Sequence, residues 1–384
     1  MLRFSKALEE LKEKALFRQI KDRESPQGAE ITLKGKRLIN FSSNDYLCLA
    51  SDPRVVEASC RGLKEFGAGA GASRLLSGGT TLHERLELLL ARFKSTERAI
   101  LFNSGYSANT GIIQALADRD TAIFSDELNH ASIIDGCRLS RGTVYVYRHK
   151  DLEHLRELIK KSSASNKLIV TDTVFSMDGD IAPLKELLLI ATEYDALLYI
   201  DDAHGTGVLG KGYGALKHFG IKAEQRIIQM STLSKAVGSF GAFFAGSEDI
   251  AQWLINRSRS LIFSTALPPS VIAASLEGVR IIMAEPERVE RLWNNRETLL
   301  KGLKELNIET SPSETPIIPV KVKTNQEALR LSSFLFERGI YAPAIRKPTV
   351  STPRIRLTLL YCHSDEHISR LIDALREARK CGLL

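Results

Sequence analysis

Two predicted strands of this chain each end in residues that can do chemistry. The apolar run that ends at Ile200 leads into Asp201-Asp-Ala-His204, and the run from Ile227 to Met230 is followed by Thr232 and Lys235. Open α/β sheets bind ligands outside the carboxyl ends of their strands. A lysine amine at that edge can form a Schiff base with an aldehyde, and a buried carboxylate can keep a proton on a ring nitrogen.

The pairing of Asp201 with Lys235 is typical of a pyridoxal phosphate site. Each unit by which Asp201 raises the pKa of the ring nitrogen corresponds to roughly 1.4 kcal/mol of preference for the protonated, electron-withdrawing form. Gly238 and Gly241 would let the backbone approach closely. The alternative, an aspartate that caps a helix and a solvated lysine, fits either residue alone. Both signatures in this order favour the cofactor.

The composition describes a globular protein with a modest positive charge. The chain has 384 residues, of which 43% are hydrophobic, and Lys plus Arg exceed Asp plus Glu by 53 to 46, giving a net charge of +7. The basic residues form no concentrated run, so we expect no nucleic-acid partner. No CxxC spacing predicts a metal site. We expect free thiols in a reducing compartment for all five cysteines: Cys48, Cys60, Cys137, Cys362 and Cys381.

No segment predicts a membrane protein or an exported one. No window approaches the roughly 20 apolar residues that cross a bilayer, and the N-terminus lacks a hydrophobic signal core. Instead, Phe4, Leu8, Leu11 and Ala15 recur at helical spacing and predict an amphipathic first helix. We therefore expect a cytoplasmic protein whose residues 1–45 form an N-terminal helix and extension.

The next region alternates between short apolar runs and helical stretches, which is the pattern of an α/β domain. Because the runs are nearly continuously apolar, we expect a mainly parallel sheet covered by helices on both faces. The predicted large domain spans residues 46–280. Its strands are Ala99–Phe102, Ala122–Ser125, Val144–Tyr147, Leu168–Thr171, Leu197–Ile200, Ile227–Met230 and Ala242–Ala245.

Residues 281–384 are predicted to form a small C-terminal α/β domain, and a helical region from about Pro269 to Leu306 leads into it. Ser364-Asp-Glu-His367 is typical of a helix start and opens the last predicted helix, which ends near Arg379. The predicted strands are Ile317–Val322, Ile340–Ala344 and Arg354–Leu359, with a helix at Gln326–Arg338 between the first two.

Seven motifs in order resemble the α-oxoamine synthase family of fold-type I pyridoxal phosphate enzymes. Besides the Asp201 and Lys235 motifs they are Asn44-Asp-Tyr-Leu47, Gly67-Ala-Gly-Ala-Gly71 with Ser73-Arg74, Asn103-Ser-Gly-Tyr-Ser-Ala-Asn109, Asn129-His-Ala-Ser132 and Val174-Phe-Ser-Met-Asp-Gly-Asp180. The resemblance implies an acyltransferase with a large and a small domain, and a homodimer with its site at the subunit interface. The chain departs from the family at Cys48, where we expect glycine.

A phosphate cradle is predicted where Asn103-Ser-Gly-Tyr follows a strand and opens a helix. The first backbone N–H groups of a helix attract an anion, so Gly105 and Tyr106 are the candidate cradle residues. An ordinary capped turn is the alternative. The hydroxyl of Thr232 would reach the same phosphate.

Three further cofactor contacts are implied by the resemblance. His130 matches a histidine that stacks on the pyridine ring and also meets substrate, and His204 matches one that hydrogen-bonds the phenolic oxygen. Ser176 matches a cofactor contact, although a turn-forming serine is the alternative. We expect structural roles for the other histidines: His83, His149, His154, His218, His363 and His367.

Arg356 is the candidate receptor for a substrate carboxylate, because a guanidinium offers paired donors in carboxylate geometry. Arg354 alternates to the opposite face of the same strand. Arg18 and Thr349 resemble family positions that meet substrate, although Arg18 would lie on a charged helix where a solvated role is the alternative.

Two segments favour an alanine-using member of the family, in which L-alanine condenses with a pimeloyl thioester of coenzyme A or acyl carrier protein during biotin biosynthesis. They are Asp180-Ile-Ala-Pro-Leu184 and the region from Ala344 to Thr358. Lys235 would serve as tether and base. A glycine-using sister enzyme, an aminotransferase and a non-catalytic cofactor-binding regulator remain alternatives, although we find no added DNA-binding module.

Overall fold

The computed structural model describes residues 2–310 and 312–384, with side chains from Phe4 onward. The described chain divides into two compact units. The larger unit contains residues 49–176 and 181–290, and the smaller unit contains residues 2–48, 177–180 and 291–384. The N-terminal extension therefore groups with the C-terminal part of the chain, whereas the sequence predicts it as a separate segment.

The described strands are β1 (Glu30–Leu33), β2 (Lys36–Asn40), β3 (Arg98–Phe102), β4 (Thr121–Asp126), β5 (Thr143–Tyr147), β6 (Asn166–Asp172), β7 (Leu197–Asp201), β8 (Ile227–Thr232), β9 (Ala242–Gly246), β10 (Ile317–Lys321), β11 (Ile340–Tyr341), β12 (Ala344–Ile345) and β13 (Arg354–Thr358).

The described helices are α1 (Leu2–Glu13), α2 (Pro53–Phe66), α3 (Thr81–Lys94), α4 (Gly105–Leu116), α5 (Ala131–Leu139), α6 (Leu152–Lys161), α7 (Leu184–Glu193), α8 (Ala215–Phe219), α9 (Glu248–Arg257), α10 (Arg259–Ile262), α11 (Pro269–Ala284), α12 (Glu287–Glu305), α13 (Asn325–Glu337) and α14 (Asp365–Lys380).

A seven-stranded sheet forms the centre of the larger unit, in the order β3-β9-β8-β7-β6-β4-β5. Strand β9 runs antiparallel to both β3 and β8, and the other neighbouring pairs are parallel. The prediction of a mainly parallel sheet is confirmed. The seven strands lie within two residues of their predicted bounds.

Burial on both faces explains why these strands are nearly continuously apolar. All residues of β4, β8 and β9 are buried. Helix α4 packs on β8 and β9, while α6 packs on β4 and β5. Apolar side chains of the strands and of α4 and α5 share one core cluster that includes Ile112, Ile133, Val170, Ile228 and Phe244. This rigid layer fixes the positions of the residues at the strand ends.

The smaller unit contains two three-stranded sheets. Strand β2 pairs with β1 in antiparallel fashion and with β11 in parallel, and β13 lies between β10 and β12. The prediction of one strand from Ile340 to Ala344 is wrong, because β11 ends at Tyr341 and β12 begins at Ala344 in a different sheet. Pro343 separates them, and proline has no backbone N–H for a sheet ladder.

The expectation that all five cysteines are free thiols is also wrong. Cys48 and Cys362, both in the smaller unit, form a disulfide with a Cα–Cα distance of 6.2 Å across 314 residues of sequence. Cys48 has φ +55°, a conformation that glycine adopts without strain. This backbone angle explains why glycine is expected at this position of the family. Cys60, Cys137 and Cys381 are free.

Among the described helices, none combines the length and the apolar character needed to span a bilayer. The apolar side chains of α1 are exposed within the described chain, with Phe4 at 73% and Leu8 at 44% of their full accessibility.

Candidate active site

Polar residues of the larger unit meet at the carboxyl edge of its sheet. Asp172 ends β6, Asp201 ends β7 and Thr232 ends β8. Asp172 and Asp201 lie opposite each other in the parallel ladder, as do Asp201 and Met230. The register therefore places two buried carboxylates side by side, with the loop that carries Lys235 beginning on the next strand.

Asp201 is a buried carboxylate with both oxygens fixed. Asn109 Nδ2 donates to its Oδ2 at 2.7 Å, and the backbone N–H of Ala203 donates to its Oδ1 at 2.9 Å. The residue is 5% exposed. These two donors fix the orientation of the carboxyl group. Asp201 can therefore keep a proton on a ring nitrogen that contacts it.

Asn109 connects Asp201 to the histidine predicted to stack on the cofactor. Its Nδ2 also donates to Ser132 Oγ at 2.8 Å, and its Oδ1 accepts from the hydroxyl of Tyr199. Ser132 Oγ in turn lies 2.7 Å from His130 Nδ1. One buried amide thus touches both halves of the predicted site.

His130 occupies the N-cap position of α5, where its Nδ1 accepts from the backbone N–H of Ser132 at 3.2 Å. Its own backbone N–H donates to Asp172 Oδ2 at 2.6 Å. Desolvation lowers the pKa of His130; Asp201 opposes this shift and Lys235 adds to it. Burial raises the pKa of Asp172 well above its usual range, and the neighbouring charge of Asp201 raises it further. His130 is therefore neutral near pH 7.

Lys235 is half-buried on the loop that follows β8. Gly238, at φ +72°, closes this loop, and its N–H donates to the Lys235 carbonyl at 2.9 Å. A Cβ atom at Gly238 would lie 2.4 Å from the backbone of Leu49, so the glycine permits the close approach that the sequence predicts. The Thr232 hydroxyl donates to the Gly241 carbonyl at 2.8 Å, so it is engaged within the loop.

Helix α4 begins at the predicted phosphate cradle. A capping box fixes this turn, because Ser107 N donates to Ser104 Oγ at 3.1 Å and Ser104 N donates to Ser107 Oγ at 2.9 Å. Gly105 and Tyr106 are the first two helical residues, whose N–H groups have no acceptor within a helix. A Cβ atom at Gly105 would meet only the methyl carbon of Met230, at 3.9 Å. The side of the turn that Gly105 faces thus has room for an anion.

The remaining cofactor candidates lie on turns at the same edge. His204 is buried in the turn after Asp201, and Ser176 is half-buried two residues beyond the bridge of Val174 with Ile181. The Tyr106 hydroxyl donates to Asp135 Oδ2. The buried carboxylate, the lysine, the histidine and the helix start together fit pyridoxal phosphate.

In the smaller unit, Arg356 is buried on β13. Its two terminal nitrogens each lie 3.1 Å from Asn44 Oδ1. Burial lowers the pKa of Arg356, and its hydrogen bond with Tyr46 opposes this shift. Arg354, on the same strand, donates to Asp178 Oδ1 at 2.6 Å and to the Met177 carbonyl at 3.0 Å. Arg354 is held by a carboxylate, whereas the amide of Asn44 that contacts Arg356 is neutral.

Arg18 and Thr349 are brought together, because Arg18 Nη2 donates to Thr349 Oγ1 at 3.1 Å. The expectation that Arg18 lies on the first helix is wrong, since α1 ends at Glu13. Arg346 holds the segment that carries Arg18, donating to the carbonyls of Ala15 and Phe17.

Several of the other histidines make structural hydrogen bonds, as expected. His83 Nδ1 belongs to the capping box of α3, and burial lowers its pKa to about 4. His363 Nδ1 accepts from the Leu360 N–H at 3.1 Å, and its Nε2 lies 3.1 Å from the Asn40 carbonyl. These rings stabilise turns of the fold.

Sequence reasoning gave no role to Asn109, Ser132, Tyr199, Asp172, Asn44 and Tyr46. The motifs contain Asn109, Ser132, Asn44 and Tyr46, so a signal for these four was present. Tyr199 and Asp172 sit in apolar strands, where only the sheet register reveals what they contact.

The chain matches the family model described as aminotransferase class I and II over residues 36–375. A protein of Thermodesulfovibrio yellowstonii is 55% identical over 97% of this chain and 96% of its own length, and it carries the name 8-amino-7-oxononanoate synthase as a provisional assignment. A Thermoanaerobacter pseudethanolicus protein with the same name, unqualified, is 45% identical over 97% of this chain and 95% of its own.

Solved structures agree with these relatives. The serine palmitoyltransferase of Sphingomonas wittichii is 30% identical, with a TM-score of 0.93 over 100% of this chain and 98% of its own. The 8-amino-7-oxononanoate synthase of Francisella tularensis is 30% identical, with a TM-score of 0.78 over 90% and 99%. This chain is a pyridoxal phosphate-dependent acyltransferase that belongs to the 8-amino-7-oxononanoate synthase family.

Proposed function

We propose that this enzyme condenses L-alanine with a pimeloyl thioester, releasing carbon dioxide, a free thiol and 8-amino-7-oxononanoate, a step of biotin biosynthesis. The choice of product rests on the name 8-amino-7-oxononanoate synthase that the relatives share. Within the chain, the segments Asp180–Leu184 and Ala344–Thr358 favour alanine over glycine. The acyl carrier is coenzyme A or acyl carrier protein, and the positive net charge suits either anionic donor.

Pyridoxal phosphate, when bound, supplies an electron sink for the carbanion that forms at the α-carbon of the amino acid. Lys235 would hold the cofactor covalently, and its amine, once free, would remove the α-proton of alanine. Asp201 would keep the ring nitrogen protonated through its fixed carboxyl group. The α-carbon attacks the thioester carbonyl, the thiol leaves, and loss of carbon dioxide is followed by reprotonation.

The other candidate residues bind and orient. Gly105 and Tyr106 offer backbone N–H groups to the phosphate, and Ser176 and His204 contact the cofactor from neighbouring turns. His130 stacks on the ring. Thr232 reaches the phosphate only after its hydroxyl turns away from the Gly241 carbonyl.

The proposed substrate contacts are Arg356, Arg18 and Thr349. Arg356 receives the alanine carboxylate through its two terminal nitrogens, each of which lies 3.1 Å from Asn44 Oδ1. A carboxylate offers two oxygens in matching geometry and a full negative charge, so it competes well for these donors. Arg18 and Thr349 contact the acyl substrate as a pair.

We also propose a cytoplasmic homodimer. Around the bridge between Ser73 and Thr265, the side chains of Leu75, Leu76 and Phe263 are 51%, 80% and 72% exposed. Apolar residues exposed together are typical of a protein interface. Ser264 and Thr265 lie beside this surface and would reach the partner's phosphate. Light scattering of the active protein at twice the mass of the chain would support the dimer, and an active monomer would refute it.

Release of free thiol tests the proposed reaction directly. Cofactor-loaded protein is supplied with L-alanine and pimeloyl-CoA, or with glycine and either acetyl-CoA or succinyl-CoA, and Lys235→Ala serves as the blank. Thiol release that requires alanine supports the proposal. Release that requires glycine keeps the chemistry and moves the protein to a sister activity. If no pair reacts, pimeloyl-acyl carrier protein replaces pimeloyl-CoA, and continued silence with this donor would overturn the proposal.

A further inference from the structure

Asn109 and Ser132 connect Asp201 to His130 through hydrogen bonds. The chemistry of the groups fixes which atom donates in each of them. An ionised carboxylate has no proton to donate, so the amide atom that lies 2.7 Å from Asp201 Oδ2 must be the NH2 group of Asn109. The amide oxygen then faces the Tyr199 hydroxyl, which must donate to it. The orientation of Asn109 is therefore fixed from both sides.

The second proton of the Asn109 amide points to Ser132. Ser132 Oγ lies 2.8 Å from Asn109 Nδ2 and accepts that proton, because the amide nitrogen offers no lone pair. The hydroxyl proton of Ser132 remains for its other neighbour, His130 Nδ1, at 2.7 Å. Ser132 therefore accepts from Asn109 and donates to the imidazole of His130. Tyr199, Asn109, Ser132 and His130 thus form a hydrogen-bond chain in which each residue donates to the next.

A second donor confirms the state of that ring nitrogen. The backbone N–H of Ser132 also points at His130 Nδ1, at 3.2 Å, and a backbone N–H cannot accept. A proton on Nδ1 would face this N–H. With both the hydroxyl and the backbone N–H of Ser132 donating to it, Nδ1 keeps its lone pair, so the neutral ring carries its proton on Nε2. The lowered pKa of His130 agrees with this geometry.

We propose that Tyr199, Asn109 and Ser132 are positioning residues whose hydrogen bonds run in one direction and make the free end of His130 a donor. The chain holds His130 as the neutral tautomer that is protonated at Nε2. At this nitrogen, the resting enzyme can donate a hydrogen bond but cannot accept a proton. This inference rests on the proposed function only in that a substrate meets His130, and that substrate must then present an acceptor oxygen.

The proposal predicts the effect of exchanging donor and acceptor in the hydrogen bonds that lead from Asn109 to His130. Asn109→Asp keeps the size of the side chain and its acceptor for Tyr199, but it removes the NH2 group. The oxygen that replaces the NH2 group lies against Asp201 Oδ2, so the two carboxyl groups share one proton between them. The same oxygen accepts from the hydroxyl of Ser132, whose own oxygen then faces His130 Nδ1 as an acceptor. A protonated Nδ1 gains a partner, so the pKa of His130 should rise by about one pH unit or more. Asp201, Asp172 and Lys235 remain as the other charged groups around the ring.

The measurement is nitrogen NMR of cofactor-loaded protein that carries 15N-labelled histidine, with His130→Gln to assign the signal. We expect a proton on Nε2 of His130 at neutral pH in the unmodified protein, and a protonated Nδ1 with a higher pKa in Asn109→Asp. The matched control is Asn166→Asp, which introduces the same charge at the exposed start of β6. Asn166 lies at the opposite end of β6 from Asp172 and outside the hydrogen-bond chain, so its substitution should leave the proton position of His130 unchanged.

Ser132→Ala is the second variant, in case Asn109→Asp does not fold. It removes the hydroxyl donor but keeps the backbone donor, so we expect a smaller rise in the pKa of His130. Ser231→Ala is its control, because the buried Ser231 hydroxyl donates to the carbonyl of Asp202 and takes no part in the hydrogen bonds that lead to His130. A proton on Nδ1 in the unmodified protein would overturn the proposal. The proposal would also be overturned if Asn109→Asp and Ser132→Ala, whichever of them fold, left the proton position and the pKa of His130 unchanged.

These signals do not depend on turnover. If no substrate pair releases thiol while the NMR results hold, the proposed function fails and the hydrogen-bond chain stands. If thiol release depends on alanine but the proton of His130 is found on Nδ1, the proposed hydrogen-bond chain is refuted and the proposed function stands.

Discussion

Lys94 and Asp202 form a buried ion pair, in which Nζ lies 2.7 Å from Oδ2 and both side chains are 1% exposed. Thr173 and Thr206 also donate to the Asp202 carboxyl group, at 2.8 and 2.9 Å. The next residue along the chain towards the N-terminus is Asp201, whose contacts are two neutral N–H groups. Of these two adjacent aspartates, one is neutralised by an ion pair within the fold, and the other is the residue that we propose contacts the cofactor.

The two aspartates should respond in opposite ways to the same substitution. Asp202→Asn leaves the charge of Lys94 buried without its partner, so we expect a loss of about 3–5 kcal/mol in the free energy of unfolding. Asp201→Asn should cost less stability but weaken cofactor binding and lower turnover by at least about 100-fold. Urea denaturation of cofactor-free protein and titration with pyridoxal phosphate measure both effects. Equal effects of the two substitutions on cofactor affinity would contradict the assignment.

Arg356→Lys tests the carboxylate receptor. Lysine keeps the charge but loses the paired donors, so we expect the KM for the amino acid to rise by about 10- to 100-fold with a smaller change in kcat. Arg354→Lys is the matched control, because Arg354 is equally buried on the same strand but already bound to Asp178. Arg354→Lys should lower stability and leave the KM near its original value. Steady-state kinetics that show the larger KM change in Arg354→Lys would exclude Arg356 as the receptor.

The protein should lose stability in mild acid because of His363. Burial lowers the pKa of this imidazole to about 3 in the folded protein, and its ordinary value is 6.5. Above pH 6.5 neither state binds a proton here, whereas between pH 6.5 and 3 only the unfolded chain does. The free energy of unfolding should therefore fall with pH in this window, by up to about 1.4 kcal/mol per pH unit from this residue.

Urea denaturation at pH 7.5, 6.5, 5.5 and 4.5 measures that slope. His363→Gln removes the titrating group and should be less stable at pH 7.5 but show a shallower decline towards acid. An equal slope in the two proteins would assign the acid sensitivity to other groups, such as His83, whose pKa is also lowered by burial.

The Cys48–Cys362 disulfide should be visible chemically and energetically. Denatured, non-reduced protein should react with a thiol reagent at Cys60, Cys137 and Cys381 alone, and reduced protein at all five cysteines. Reduction should lower the free energy of unfolding by about 2–4 kcal/mol. A variant with serine at both positions should be insensitive to a dithiol. Five reactive thiols before reduction would show that the bond is absent from the purified protein.

The large sheet could be predicted from sequence because each strand is a short apolar run between polar turns. The strand that ends at Asp201 is such a run, and so is the strand before Lys235. Their neighbouring positions follow from the general rule for parallel sheets. The fold and the cofactor were therefore accessible from local pattern alone.

Contacts between distant residues were not accessible in this way. Cys48 and Cys362 are brought together by the smaller unit, and no spacing rule connects residues so far apart in sequence. Tyr199 looks like an ordinary strand residue until the fold places its hydroxyl against Asn109. Ile340 to Ala344 read as one strand because the apolar pattern cannot show that Pro343 separates two sheets.

The disulfide also closes a covalent ring that contains the whole chain of the larger unit, since that unit spans residues 49–290 apart from the short segment 177–180. A protease that cuts the chain once inside this ring cannot release a fragment. The nicked protein would keep its full mass on a gel run without reductant and separate into two pieces once a dithiol is added. The disulfide thus keeps the two fragments covalently linked after any single backbone cut in the larger unit.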